Sequence, residues 1–238
     1  LLIDEGHDFE PSWLKLVVQM VDPATNSVLL MYDDAQDIYA RNKKGKFSFK
    51  SVGVQAQGRT TILKVNYRNT QEILRLASEM ARELLQPAGD KADEDGVQHL
   101  VPISGGRHGP APLVVKLPHL RAESDYLIER LRAAHQDGLP WSAMAVIYHD
   151  YASVGKAVLA AFRRAGVPVT YFRDMKFSAG EDSVKFLTMH SCKGLEFPLV
   201  AIPGLGRTSD GDAAREERAR LLYVAMTRAT QQLILSGA

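Results

Sequence analysis

The apolar run LLI ends in two adjacent carboxylates, Asp4 and Glu5, and a second apolar run, SVLLMY, ends in Asp33, Asp34 and Gln36. Carboxylates at the carboxyl end of a parallel strand lie where α/β proteins place their ligands. One of a pair can hold a magnesium ion, commonly through water, while the next orients an attacking water, which is the chemistry of a magnesium-nucleotide site. A lone Asp-Glu also reads as a helix entry, since EPSW follows it. Three later segments carry further reactive types: NYRNT with Tyr67 and Arg68, TMHSCKGLEF with His190, Cys192 and Glu196, and VAMTRA with Arg228. Taken singly, each has a bland role. Arg228 falls in the last turn of an expected helix, where a cation complements the macrodipole. Tyr67 reads as an edge aromatic, His190 as a buried histidine and Lys193-Gly194 as a turn.

Between Ile38 and Gln71 there is no Asp or Glu, while Arg41, Lys43, Lys44, Lys46, Lys50, Arg59, Lys64 and Arg68 are basic. Tyr39, Phe47 and Phe49 interleave with them. Basic groups among aromatic platforms suit a flexible phosphate backbone with unstacked bases, and a solvated basic loop fits those residues equally.

Positioning these groups requires a sheet. Nine β-branched-rich runs read as strands: LLIDE, SVLLMY, TTILKVN, PLVVKL, AMAVIY, VPVTYF, VKFLTM, PLVAIP and QLILS. Between them PSWLKLVVQMV, TQEILRLASEMARELL, RAESDYLIERLRAAHQ, YASVGKAVLAAFRRAG and AAREERARLLYVAMTRA carry helical periodicity, several with Gly or Pro stops beyond. Alternating strands and helices argue an α/β fold, a parallel sheet covered on both faces. The Gly-, Pro- and Asp-rich interval from Pro87 to Pro112 reads as surface loop. The 238 residues are 45% hydrophobic, enough for a substantial core, and 29 basic against 28 acidic residues leave no bulk field to announce a partner. No apolar run reaches the length of a membrane span. A single cysteine excludes a disulfide framework within the chain and fits a reducing cytoplasm.

The ordered set DE, DDAQDIY, NYRNT, LTMHSCKGLEFP and EERARLLYVAMTRA resembles motifs II to VI of superfamily 1 helicases of the UvrD/Rep type, ATP-driven translocases on single-stranded DNA. The resemblance implies a RecA-like fold with ATP and Mg2+ as ligands. It makes Asp4 the magnesium-side carboxylate and Glu5 the base that activates water, with Gln36 sensing the γ-phosphate. Tyr67 would stack on adenine, Glu196 would bind the nucleotide ribose, and Arg68 and Arg228 would reach the γ-phosphate. Two rigid guanidinium forks suit charge that spreads over equatorial oxygens in phosphoryl transfer. Tyr39, Arg41 and His190 would face DNA, although the family offers a tryptophan where this sequence has Arg41.

The P-loop, G-x-x-x-x-G-K-[ST], does not occur in the sequence. With the family as guide, residues 1–60 are expected to be the end of a first RecA-like motor domain whose amino-terminal part is missing. Residues 61–238 are expected to form the second, without the large helical insertion the family carries before motif V. The implied function is the carboxyl-terminal part of an ATP-dependent DNA helicase of 3′ to 5′ polarity, acting in repair, replication or recombination and inactive alone. The rival reading is a non-catalytic RecA-like module that binds nucleic acid or protein.

Overall fold

A computed structural model describes residues 1–32, 48–61, 63, 65–84, 103–171, 181–206 and 212–238, the side chains of 82–84 and 212–217 excepted. Ten strands and five α-helices follow one another through them. They are β1 (Leu2–Ile3), α1 (Pro11–Val18), β2 (Leu29–Leu30), β3 (Val65–Asn66), α2 (Gln71–Leu84), β4 (Ile103–Ser104), β5 (Leu113–Lys116), α3 (Leu120–Gln136), β6 (Met144–Tyr148), α4 (Lys156–Arg164), β7 (Val169–Tyr171), β8 (Val184–Thr188), β9 (Phe197–Leu205), α5 (Asp212–Met226) and β10 (Ala229–Gly237).

Six strands make one parallel sheet in the order β5-β10-β9-β6-β8-β7. Its centre is β6, MAVIY, in which all five residues are buried. That follows from a parallel strand covered on both faces, which reads as a continuous apolar run. Met144, Val146 and Tyr148 point into a layer built by α3 and α4, with Leu127, Leu131, Val158 and Phe162. Ala145 and Ile147 point into the opposite layer, where α2 and α5 bring Ile73, Ala77, Leu221 and Ala225. The period of two along the strand therefore divides one core into two.

Local signals end the helices where the chain must turn. His119 accepts the N–H of Ala122 at 3.1 Å to open α3, and Gly138 in the left-handed region (φ 99°) closes it. A π-helical turn at Tyr151–Gly155 precedes α4, opened by Asp150 accepting the N–H of Ser153 at 2.6 Å.

Each of the nine expected runs contributes a strand, but a tenth, β4, is unexpected, and only six of the ten strands share the main sheet. TTILKVN contributes two residues, Val65–Asn66, and these pair outside the main sheet with Ile103–Ser104, inside the interval expected to be loop. β1 and β2 form a separate parallel pair whose core among the described residues is small: Ile3, Leu14 and Val52 are buried, with Phe9, Val17, Leu30 and Val54 packed against them.

Candidate functional site

The site is assembled from four segments far apart in sequence. β3 delivers Asn66, and the next residues turn back toward α2. The Asn66 Oδ1 accepts the backbone N–H of Arg68 at 2.9 Å and of Asn69 at 3.0 Å, a side-chain-mimicked turn that asparagine makes readily. That turn leaves Tyr67 with 71% of its surface exposed and directs Arg68 to an ion pair with Glu196, in the loop before β9. From outside, Arg107 donates to the Arg68 carbonyl at 2.9 Å. Glu72 of α2 lies 3.0 Å from Nδ1 of His108 and accepts the Gly109 N–H at 3.0 Å. The His108 hydrogen bond, helped by backbone N–H groups, lowers the Glu72 pKa to about 2.

Arg228 sits beyond the end of α5, which stops at Met226, so the expectation of a last-turn residue is corrected by two positions. Its side chain is 2% exposed, and Nε donates to the Val224 carbonyl at 3.1 Å, one of the acceptors a helix terminus leaves without an intrahelical partner. Burial lowers its pKa, and the positive charge of Arg68 lowers it further. Cys192, Glu196 and Glu5 act in the opposite direction.

The third and fourth segments meet at Lys193. Its ammonium lies 2.7 Å from Nε2 of His7, pairs with Asp8, and stands 3.8 Å from Glu5. His7 is 1% exposed, and its Nε2 is 2.9 Å from Glu5 Oε2. Glu5 itself adopts a left-handed conformation (φ 51°) at the start of the turn Gly6–Asp8. For a β-unbranched residue this costs of order 1 kcal/mol and is retained where surroundings fix it. Asp4 is exposed, and its Oδ1 accepts the Glu5 N–H at 2.8 Å. Among the described residues, the cluster able to take a cation is Glu5, His7 and Asp8, without Asp4.

His190 is exposed in the turn after β8, contrary to the buried role it would have taken singly. Thr188 and Ser191 fix that turn through hydroxyl and backbone hydrogen bonds of 2.8 to 3.2 Å. Cys192 is buried, donates to the Met189 carbonyl at 3.1 Å, and has its thiol pushed up to about 12 by burial. Gln36, Tyr39 and Arg41 lie outside the described residues. The structure thus brings Arg228 within electrostatic reach of Arg68, Glu196 and Glu5, pairs Arg68 with Glu196, and leaves Tyr67 exposed beside Arg68 in the chain.

Sequence reading passed over Asn66, Asn69, His7 and the bridging role of Lys193. Asn69 is fully buried, and its Nδ2 donates to the carbonyls of Thr227 at 2.9 Å and Ala229 at 2.7 Å, on either side of Arg228. An N-x-x-N spacing signals a turn, but partners 158 and 160 residues away leave no local trace.

Of the segments that meet here, CKGLE and MTRA lie in a region with recognisable relatives. Residues 173–238 match the UvrD-like helicase C-terminal domain. The same region is 43% identical over 68 residues to the ATP-dependent DNA helicase PcrA of Bacillus subtilis and 42% identical over 67 residues to PcrA of Staphylococcus aureus strain MRSA252. These alignments take in 26% and 24% of this chain and 9% of each PcrA, so the matched part spans under a tenth of those relatives. The carboxyl-terminal domain of a possible DNA helicase from Lactobacillus plantarum WCFS1 has the same fold: TM-score 0.52, 24% identity, 73% of this chain and 88% of that one covered. The chain therefore resembles the UvrD/PcrA type of helicase in its carboxyl-terminal region, with the RecA-like α/β architecture expected. No helix among the described residues is long and apolar enough to cross a membrane.

Proposed function

We propose that the chain is the nucleotide-responsive second lobe, with an adjoining edge of the first, of an ATP-dependent translocase on single-stranded DNA. The observation that carries this reading is the Arg68–Glu196–Arg228 constellation at the junction with Glu5. Arginine forks recognise phosphate oxygens bidentately and remain charged, so two of them near enough to feel each other's charge are suited to a polyphosphate. Tyr67 offers an open aromatic face for a base, and Glu196 an acceptor for ribose hydroxyls once Arg68 turns toward phosphate. Asp4 supplies the hard oxygen donor that Mg2+ prefers, and Glu5 the base that activates water. When bound, that ion would neutralise charge on the phosphates. The protein's own contribution is to hold Arg68 and Arg228 where charge develops and to keep Glu5 oriented through His7. Exposed His190, with Tyr39 and Arg41, is assigned to the DNA side, and a 3′ to 5′ direction belongs to the same reading.

Because no phosphate-cradling P-loop occurs in the 238 residues, the chain alone is expected to show no ATP turnover above background, with or without single-stranded DNA. Joined to a P-loop-bearing lobe of the same protein, it should support DNA-stimulated hydrolysis, and Arg228→Ala should lower kcat by about 10³-fold, as for an arginine finger. A variant that melts earlier yet retains full turnover per folded molecule would reduce Arg228 to a helix-end residue and favour a non-catalytic module.

A further inference from the structure

We propose that Asn69 is the positioning residue that locks Arg228 to Arg68, so that the two guanidinium groups are presented as one unit; the catalytic meaning of that unit rests on the function proposed above. The N–H of Thr227 donates to Tyr223 and that of Arg228 to Ala225, while the carbonyl of Arg228 accepts the Phe197 N–H at 2.9 Å. Two carbonyls remain, those of Thr227 and Ala229, and Asn69 takes both. Buried backbone acceptors need partners, and here the partner comes from the segment that carries the other arginine.

The amide is matched to the task. Both Nδ2 hydrogens are used on carbonyls, and Oδ1 accepts from Asn66 Nδ2 at 2.9 Å. Asn66 in turn holds the Arg68 backbone N–H through its own Oδ1. An unbroken hydrogen-bond path therefore runs from the Arg68 backbone through Asn66 and Asn69 to both sides of Arg228. Aspartate has Asn69's shape and lacks its donors, serine is too short to reach both carbonyls, and glutamine adds a methylene in a fully buried place. Because α5 and β10 meet at residues 227–229, a loosened clip frees the Arg228 side chain while leaving the sheet in place.

Arginine side-chain NMR on the 15N-labelled 238-residue chain tests this directly, with the Arg228 Nε–H resonance identified by its loss in Arg228→Lys. In the parent chain that proton, bonded to Val224, should exchange slowly. Asn69→Ala and Asn69→Asp should speed its exchange at least tenfold while the Arg75 resonance and the urea midpoint of the main sheet move little. Should either variant not fold, Asn69→His, which retains one donor, should give an intermediate rate. Unchanged Arg228 exchange in a folded Asn69 variant overturns the proposal. In the P-loop-bearing protein, Asn69→Ala should lower kcat with little change in KM and add nothing in an Arg228→Ala background. Full additivity in that cycle would show that Asn69 acts elsewhere. Absence of ATPase from every form would sink the functional reading alone, since the NMR arm still decides whether Asn69 positions Arg228.

Discussion

At the scale of single residues, Arg228 combines a structural contact with the charged surroundings that its proposed role requires. Arg228 satisfies a helix-end carbonyl, which any buried arginine there could do, and it also feels Arg68, Glu196 and Glu5. Only the second property distinguishes a phosphate-facing arginine from a cap, and the isolated dipeptide Thr-Arg could not reveal it. Cys192 makes the opposite case. Its position in SCKGLE sits beside reactive types, yet burial holds the thiol protonated to about pH 12. Since the thiolate is the nucleophile, alkylation by iodoacetamide at pH 8 should be roughly 10²-fold or more slower in the folded chain than in urea. The folded pKa is raised above the unfolded value near 9, so this contribution is complete below pH 9 and is lost as pH rises toward 12. Rapid labelling of the native chain at pH 8 would show that the segment around Cys192 opens readily.

At the scale of elements, strands of the main sheet were legible because their code is local. MAVIY and LVAI are apolar on both faces, VKFLT is so apart from the buried Lys185, and the helices between them announce their ends by Asp150, Gly138 and Gly166. β3 and β4 were not legible as a pair. Two residues each, joined across an acid- and Gly-rich interval, carry too little periodicity to mark a strand. The candidate site divides in the same way: the arginines and Glu196 stood out by type and motif, whereas Asn69 and Lys193 owe their roles to folding alone. The β4 segment and the loop after it matter because they brace NYRNT through Glu72, His108, Gly109 and Arg107. The Glu72 pKa is depressed, so its contribution is present above the usual value of 4.5 and is lost as pH falls through about 2. Glu72→Gln should lower the urea midpoint at pH 6, and the difference from the parent chain should shrink steadily between pH 4.5 and 2. A difference that persists unchanged at pH 2 would mean that the carboxylate charge is not what holds the loop.

At the scale of the molecule, the described residues bury cores of very unequal size. The six-stranded sheet is covered on both faces by clusters of eighteen buried residues each, whereas the β1–β2 unit has three, all counted among the described residues. At roughly 1.5–3 kcal/mol for each fully buried large apolar side chain, the three of the smaller cluster contribute about 5–9 kcal/mol, less than the entropy of ordering the backbone around them. Leu2, Trp13, Leu16, Met20 and Leu29 are exposed on it, so part of its apolar surface gains nothing. What ties it to the larger body includes the Lys193 contacts with Glu5, His7 and Asp8, polar links that open without breaking a core. Residues 61–238 are therefore expected to fold as one cooperative unit and residues 1–60 to open below the global unfolding free energy. Native-state hydrogen exchange should show the amides of 113–117, 144–148 and 199–202 protected far more strongly than those of 1–4 and 28–32. Lys193→Ala should lower protection in the weaker group further and leave the stronger group unchanged. Equal protection of both groups, at concentrations too low for self-association, would make the first segment part of a single cooperative domain and would remove the boundary near residue 60.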